Sequence, residues 1–177
     1  MPQSVARKVS LVGMCLALLI VSAQVSLPIL LVPVTLQTLA VGVIGTTLPW
    51  QSSRLVIGSY LLLGMLGLPV FANYASGAAV LVGPTGGYLI GFIAYVAIVH
   101  YSQQLFGQSN WVLLGGNVLA SIIQLGFGTF WLIWLLKLPM MAGLMTGFMP
   151  YFPIEMIKCC LVVMIASRIN QKRDFRK

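Results

Sequence analysis

Two acidic residues occur in the 177-residue chain, Glu155 and Asp174, against ten Lys and Arg. Asp174 belongs to a polar tail, so Glu155 is the one carboxylate available to the apolar body of the protein. Lys158 stands three positions later, and residues at that spacing share one face of a helix. Charge in an apolar medium is expensive and usually faces a partner or a wet cavity. For an isolated pair of this kind, a neutralising contact that only fixes packing is the plain alternative. The lack of any other acid favours a ligand-binding role, with Glu155 accepting hydrogen bonds and Lys158 donating them as a cation.

Uncharged groups extend the same set. Thr35, Gln37 and Thr38 open the second apolar run, Asn73 and Tyr74 lie in an apolar loop, and Thr85 and Tyr88 fall in Gly83-Pro84-Thr85-Gly86-Gly87-Tyr88. Each has an innocuous role open to it. Thr35 and Thr85 can cap helices, Gln37 can bond to a neighbouring helix, Tyr88 can anchor at a membrane interface, and the glycines allow helices to approach closely. Their convergence at one depth points to one site.

Catalysis does not fit these residues. A hydrolase needs paired acids, a zinc set, or a nucleophile with its base. Here there is one intramembrane acid and a single remote histidine, His100, suited to packing or the interface. Cys15, Cys159 and Cys160 lie in apolar stretches with neither metal-ligand spacing nor a disulfide framework. The glycine-rich Gly83–Gly87 segment lacks the Gly-Lys-Ser/Thr ending of a phosphate loop. The expectation is a protein that is not an enzyme, has no cofactor or metal, and does not itself hydrolyse ATP.

The elements that must position these groups follow from composition. Hydrophobic residues make up 59% of the chain and charged ones 7%, far from the roughly one-quarter charged residues of soluble domains. Spans of about 20 apolar residues and the Pro, Gly and Ser breaks predict an all-α membrane protein, one domain over 1–177. Its six transmembrane helices are expected at Val9–Leu27, Val34–Leu48, Arg54–Leu66, Gly86–Phe106, Trp111–Leu136 and Pro153–Asn170. Between the third and fourth, the Pro69–Pro84 segment reads as a re-entrant or interfacial loop and as a lid over the site. The first run reads as a retained helix rather than a signal peptide.

With both termini cytoplasmic, Arg7, Lys8, Arg54, Arg168, Lys172, Arg173, Arg176 and Lys177 lie inside, and Lys137 alone is a cation in an outer loop. The net charge of +8 is then a matter of topology in a cell-membrane, multi-pass protein in contact with the lipid bilayer, not of nucleic-acid binding. Glu155 and Lys158 fall at the outer end of the last helix. Gly13 and Ala17 give the first helix a small-residue face, and Gly42 and Gly45 do so for the second.

Four segments in order, Val32–Ala40 (VPVTLQTLA), Gly64–Ala72 (GMLGLPVFA), Gly83–Phe92 (GPTGGYLIGF) and Pro153–Lys158 (PIEMIK), resemble the BioY family over nearly the whole chain. Its members are the biotin-binding substrate subunits, or S components, of energy-coupling-factor (ECF) transporters. The resemblance implies a six-helix S component that captures biotin from the outer face. It also implies partners, namely a transmembrane coupling subunit and two cytoplasmic ATP-binding subunits, with Gly13 and Ala17 docking on the coupling subunit. The family usually has an aspartate where this chain carries Glu155, one methylene longer with the charge kept.

On that reading Glu155 accepts from a ureido N–H of biotin, Lys158 meets the ureido carbonyl or the carboxylate, and Asn73, Gln37, Thr85 and Tyr88 supply further bonds. Val70, Phe71 and Tyr151 are candidates for an apolar wall. Three other readings stay open: an S component for another vitamin, which should want more aromatic stacking groups, a proton-coupled carrier acting alone through Glu155, and a purely structural membrane subunit with no specific ligand.

Overall fold

A computed structural model describes residues 5–28 and 31–174, with 170–174 described by backbone alone. The side chains of Lys172, Arg173 and Asp174, and Arg176 and Lys177 altogether, lie outside the described residues. Among those described there are eight α-helices: α1 (Val5–Gln24), α2 (Gln37–Thr47), α3 (Trp50–Met65), α4 (Ala78–Val82), α5 (Gly86–Phe106), α6 (Asn110–Leu136), α7 (Met140–Gly147) and α8 (Phe152–Asp174). A short hairpin pairs β1 (Ser26–Leu27) with β2 (Val34–Thr35), Ser26 opposite Thr35.

The chain is a mostly helical, multi-pass membrane protein. By length and apolarity α1, α5 and α6 can each cross a bilayer, and α7 with α8 forms a fourth candidate bent by 40°. The expected count of six is not reached on that measure, because α2 has 11 residues and α3 has 16, against about 20 for a span. Several expected boundaries shift. The first helix stops at Gln24 rather than Leu27, and the second begins at Gln37 rather than Val34, because the residues between leave to form the hairpin. An apolar run of that length reads equally as strand or helix. The third helix starts at Trp50, not Arg54, since the Pro49 carbonyl accepts from Ser52 and Ser53 at 2.9 and 3.0 Å.

The Pro69–Pro84 segment is more regular than a loop, with a 3-10 turn at Ala72–Tyr74 followed by α4. The Pro139–Pro153 break likewise holds α7. The fourth helix was expected where α5 lies. A glycine with left-handed backbone, Gly107 at φ 86°, ends it, and the Ser109 hydroxyl then caps α6 by accepting from Val112 N–H.

α2 packs against α5 and α8, and α6 against α5 and α8, so these four helices enclose the polar interior. α1 lies outside them on α3 and buries only Leu19 and Ala23. Exposed Met14, Leu18, Phe130, Trp134 and Met164 form the apolar girdle expected of a surface solvated by lipid. Lys8 Nζ donates to Gln51 Oε1 at 3.1 Å, which brings the starts of α1 and α3 to one end. The chain directions carry α2, α5 and α8 toward that same end, so Arg7, Lys8, Arg54 and Arg168 gather there. Lys137, at the far end of α6, lies opposite.

Candidate functional site

At the Lys137 end the starts of α2, α5 and α8 converge beneath the hairpin and the Pro69–Pro84 segment. They enclose a cavity of roughly 440 Å³, within the usual range of about 300–1,000 Å³ for small-molecule sites. Glu155, Lys158, Asn73, Thr85, Tyr88 and Gln37 all line it. Of the candidates for an apolar wall, Phe71 and Tyr151 line it too, whereas Val70 is buried behind them in the core. Helix phase brings this about. Glu155 and Lys158 stand one turn apart on α8, where both meet Thr38 on α2.

Glu155 and Lys158 are 4% and 7% exposed, so both charges have left solvent. Lys158 Nζ donates to Glu155 Oε1 at 2.6 Å and to Thr38 Oγ1 at 2.8 Å, and Thr38 Oγ1 also donates to Glu155 Oε1 at 2.8 Å. Both bonds to the carboxylate land on one oxygen. Its other oxygen, Oε2, is buried without a hydrogen-bond partner in the protein. A buried ion pair with an unmet lone pair gains the fold little, which makes packing alone a poor account of it. The arrangement offers an apolar chamber with one fixed acceptor and one ammonium.

The other polar residues divide by how fully they are used. Gln37 is committed, since Oε1 accepts from Thr35 Oγ1 at 3.0 Å and Nε2 donates to the Tyr60 hydroxyl, which donates to the Val70 carbonyl at 3.0 Å. It ties the hairpin to the Pro69–Pro84 segment. Tyr88 spends its hydroxyl on the Gly147 carbonyl at 2.9 Å and lies 3.2 Å from Thr129 Oγ1, which leaves its ring as wall. Thr35 offers its Oγ1 to Gln37 N–H at 3.2 Å without being the N-cap of α2. Thr85 takes the N-cap position of α5, but its side chain makes no capping bond.

Asn73 is held at the exposed side of the chamber by local backbone. It and Tyr74 adopt left-handed φ of 57° and 58°, sparsely populated for residues other than glycine and met where surroundings enforce them. Gln24, the last residue of α1, enforces this turn. Its Nε2 donates to the Phe71 carbonyl at 3.1 Å and its Oε1 accepts from Tyr74 N–H at 3.0 Å. Phe71 sits so close to Gly64 that a Cβ there would lie 2.1 Å from its ring. Further along, Gly77 N–H donates to the Gly64 carbonyl at 2.7 Å and Trp131 Nε1 to the Gly83 carbonyl at 3.0 Å.

One lining residue that sequence reasoning passed over is Gln124 on α6. A glutamine within a long apolar helix was itself a signal, but no motif surrounds it. Gly13 and Ala17 stand apart from the cavity, exposed on α1, with nothing within 4 Å of where a Gly13 Cβ would be. Among the described residues no group of three or more His, Cys, Asp or Glu could hold a metal ion.

The model of the BioY family matches residues 1–175. The chain belongs to the BioY family. Among its BioY relatives, the biotin transporter BioY2 of Lactococcus lactis is 36% identical over 153 residues, covering 86% of this chain and 84% of that protein. The biotin transporter BioY of Thermotoga maritima is 36% identical over 159 residues, covering 90% and 93%. These named relatives are transporters, not enzymes. A solved structure, the S-component for biotin from an ECF-type ABC transporter, superposes with a TM-score of 0.90 at 23% identity over 97% of this chain and 94% of that one. At that identity it establishes the shared fold of this BioY chain.

Proposed function

We propose that this protein captures biotin and, as the S component of an ECF-type transporter, delivers it for uptake. The observation that carries the reading is the buried Glu155–Lys158–Thr38 cluster at the wall of an apolar chamber, with Glu155 Oε2 unpaired. Biotin brings two ureido N–H donors, a carbonyl acceptor, a carboxylate and an apolar bicycle with its chain. Glu155 would accept one ureido N–H and Lys158 would donate to the ureido carbonyl. Asn73 and Thr85 would serve the exposed part of the ligand, and Phe71, Tyr88 and Tyr151 would line it. Gln37 would act by fixing the hairpin and the segment above the cavity.

In the same reading the whole chain is one membrane domain of the cell membrane. It crosses six times, with the short α2 and α3 as crossings and both termini cytoplasmic. The gathering of Arg7, Lys8, Arg54 and Arg168 at the end away from the cavity supports that orientation. Transport would be driven by two ATP-binding subunits through a transmembrane coupling subunit, which the open face at Gly13 and Ala17 would dock. The Pro69–Pro84 segment would be the lid, moving between its tethers at Gln24, Gly64 and Trp131.

Titration calorimetry of the purified chain in detergent tests the ligand. Biotin is expected to bind at about one per chain, and dethiobiotin, which keeps the ureido ring, to compete far better than an analogue without ureido donors. No binding of biotin, or equal competition by the two analogues, would overturn the reading.

A further inference from the structure

Gln124 is 2% exposed and lines the cavity from α6. Its Nε2 donates to the backbone carbonyl of Tyr88 on α5 at 3.0 Å. A carbonyl only accepts, so the amide must turn its NH2 toward Tyr88 and its oxygen the other way. That oxygen, Oε1, is buried and has no partner in the protein. Gly91 leaves room for the side chain in this pose, since a Cβ there would lie 2.9 Å from Gln124 Cγ. Among the described residues of the cavity wall, only Glu155 presents a second side-chain acceptor in the same state.

Buried acceptors are normally paired, and two that the protein leaves unpaired at a single cavity are open to donors from a ligand or the water it displaces. We propose that Gln124 is a specificity-determining residue of this site. Its Oε1 takes one N–H of a cyclic urea while Glu155 Oε2 takes the other, and Lys158 meets the carbonyl between them. The inference rests on the biotin reading and deepens it. Two acceptors and one cationic donor in one cavity wall select a urea with both nitrogens free, whereas a single carboxylate would accept any lone donor.

The test is titration of the native chain and of Gln124→Met with biotin and with its two mono-N-methyl ureido isomers. Native protein is expected to bind biotin and to discriminate against both isomers. In Gln124→Met biotin affinity falls roughly tenfold, the value of one hydrogen bond to a neutral partner, and discrimination against one isomer disappears while that against the other stays. Gln124→Leu gives the same pattern if the Met variant is not recovered folded. If native protein binds biotin but is penalised by only one isomer, or by neither, the second acceptor does not exist. An equal loss for all three ligands in the variant would make Gln124 a support for Tyr88 and nothing more. Absence of biotin binding to the native chain would instead overturn the functional reading itself.

Discussion

Two buried amides stand about two turns apart on α6, and the bundle treats them differently. Asn117 is fully used. Its Oδ1 accepts from the Tyr95 hydroxyl at 3.1 Å, and its Nδ2 donates to Thr46 Oγ1 at 3.0 Å and to the Leu113 carbonyl at 2.8 Å. Gln124 makes one bond, to Tyr88, and its oxygen is left over. The Asn117 seam ties α2, α5 and α6 together, and Asn117 itself lines neither cavity. Gln124 and Glu155 sit where a ligand can reach them. In a low-dielectric interior a satisfied polar group holds the fold and an unsatisfied one is costly, so beside a cavity it is open to a donor from outside the protein.

A similar contrast separates the two ends of the molecule. A second cavity of about 400 Å³, at the end that carries Arg7 and Lys8, is lined by Thr46, Thr47, His100, Gln103, Gln104 and Gln108 among others. It holds neither carboxylate nor ammonium. His100 stacks on Trp50 at 5.3 Å, and Gln103 bonds to the Thr46 carbonyl at 3.3 Å. With no charged residue in its lining and a more polar wall than the first cavity, that chamber is suited to water rather than to an oriented solute.

The largest effect is expected at Glu155. Glu155→Ala should abolish measurable biotin binding and lower stability by about 3–5 kcal/mol, because Lys158 is left buried and unpaired. Adding Lys158→Met should return most of that stability and none of the binding. Thermal unfolding in detergent beside calorimetry reads both, and recovered binding in the double variant would count against the pair as ligand machinery. Asn117→Leu should show the reverse pattern. It strands the Tyr95 and Thr46 hydroxyls, at about 1–3 kcal/mol, while biotin affinity stays as it was. A fall in affinity equal to that of the cavity variants would dissolve the distinction between seam and site. The smallest effect belongs to Tyr88→Phe, which removes the bond to the Gly147 carbonyl for about 1 kcal/mol of stability. The ring remains as wall, so affinity should hardly change, and a large loss would show that the hydroxyl reaches the ligand.

Much of this was legible along the chain. An acid with no companion in an apolar sequence singles itself out at any fold, and Lys158 follows it at helical spacing. Asn73, Thr85, Tyr88 and Gln37 line one cavity because polar residues near these helix ends fall at one depth. Gln124 escaped that logic. It lies well inside α6, far along the chain from the α5 carbonyl it meets, so its depth in the site depends on how α5 and α6 cross. Gln37 lines the cavity and makes the bond to a neighbouring helix that its type allows, with Tyr60 of α3 as the partner that packing selects.

By itself the amino-acid sequence determined the solvent, the helical class and the identity of the one carboxylate that had to be accounted for. Hydropathy is a sum over neighbouring residues, and scarcity of charge needs no coordinates to be seen. Which lone pairs are spent and which remain follows from the folded arrangement alone. Hydrogen-bond satisfaction depends on distance and direction between residues remote in the chain, such as Thr38 and Glu155 or Tyr88 and Gln124. For the same reason the helix ends, set by a hairpin and by carbonyls turning toward partners across the bundle, became readable only once the chain had folded.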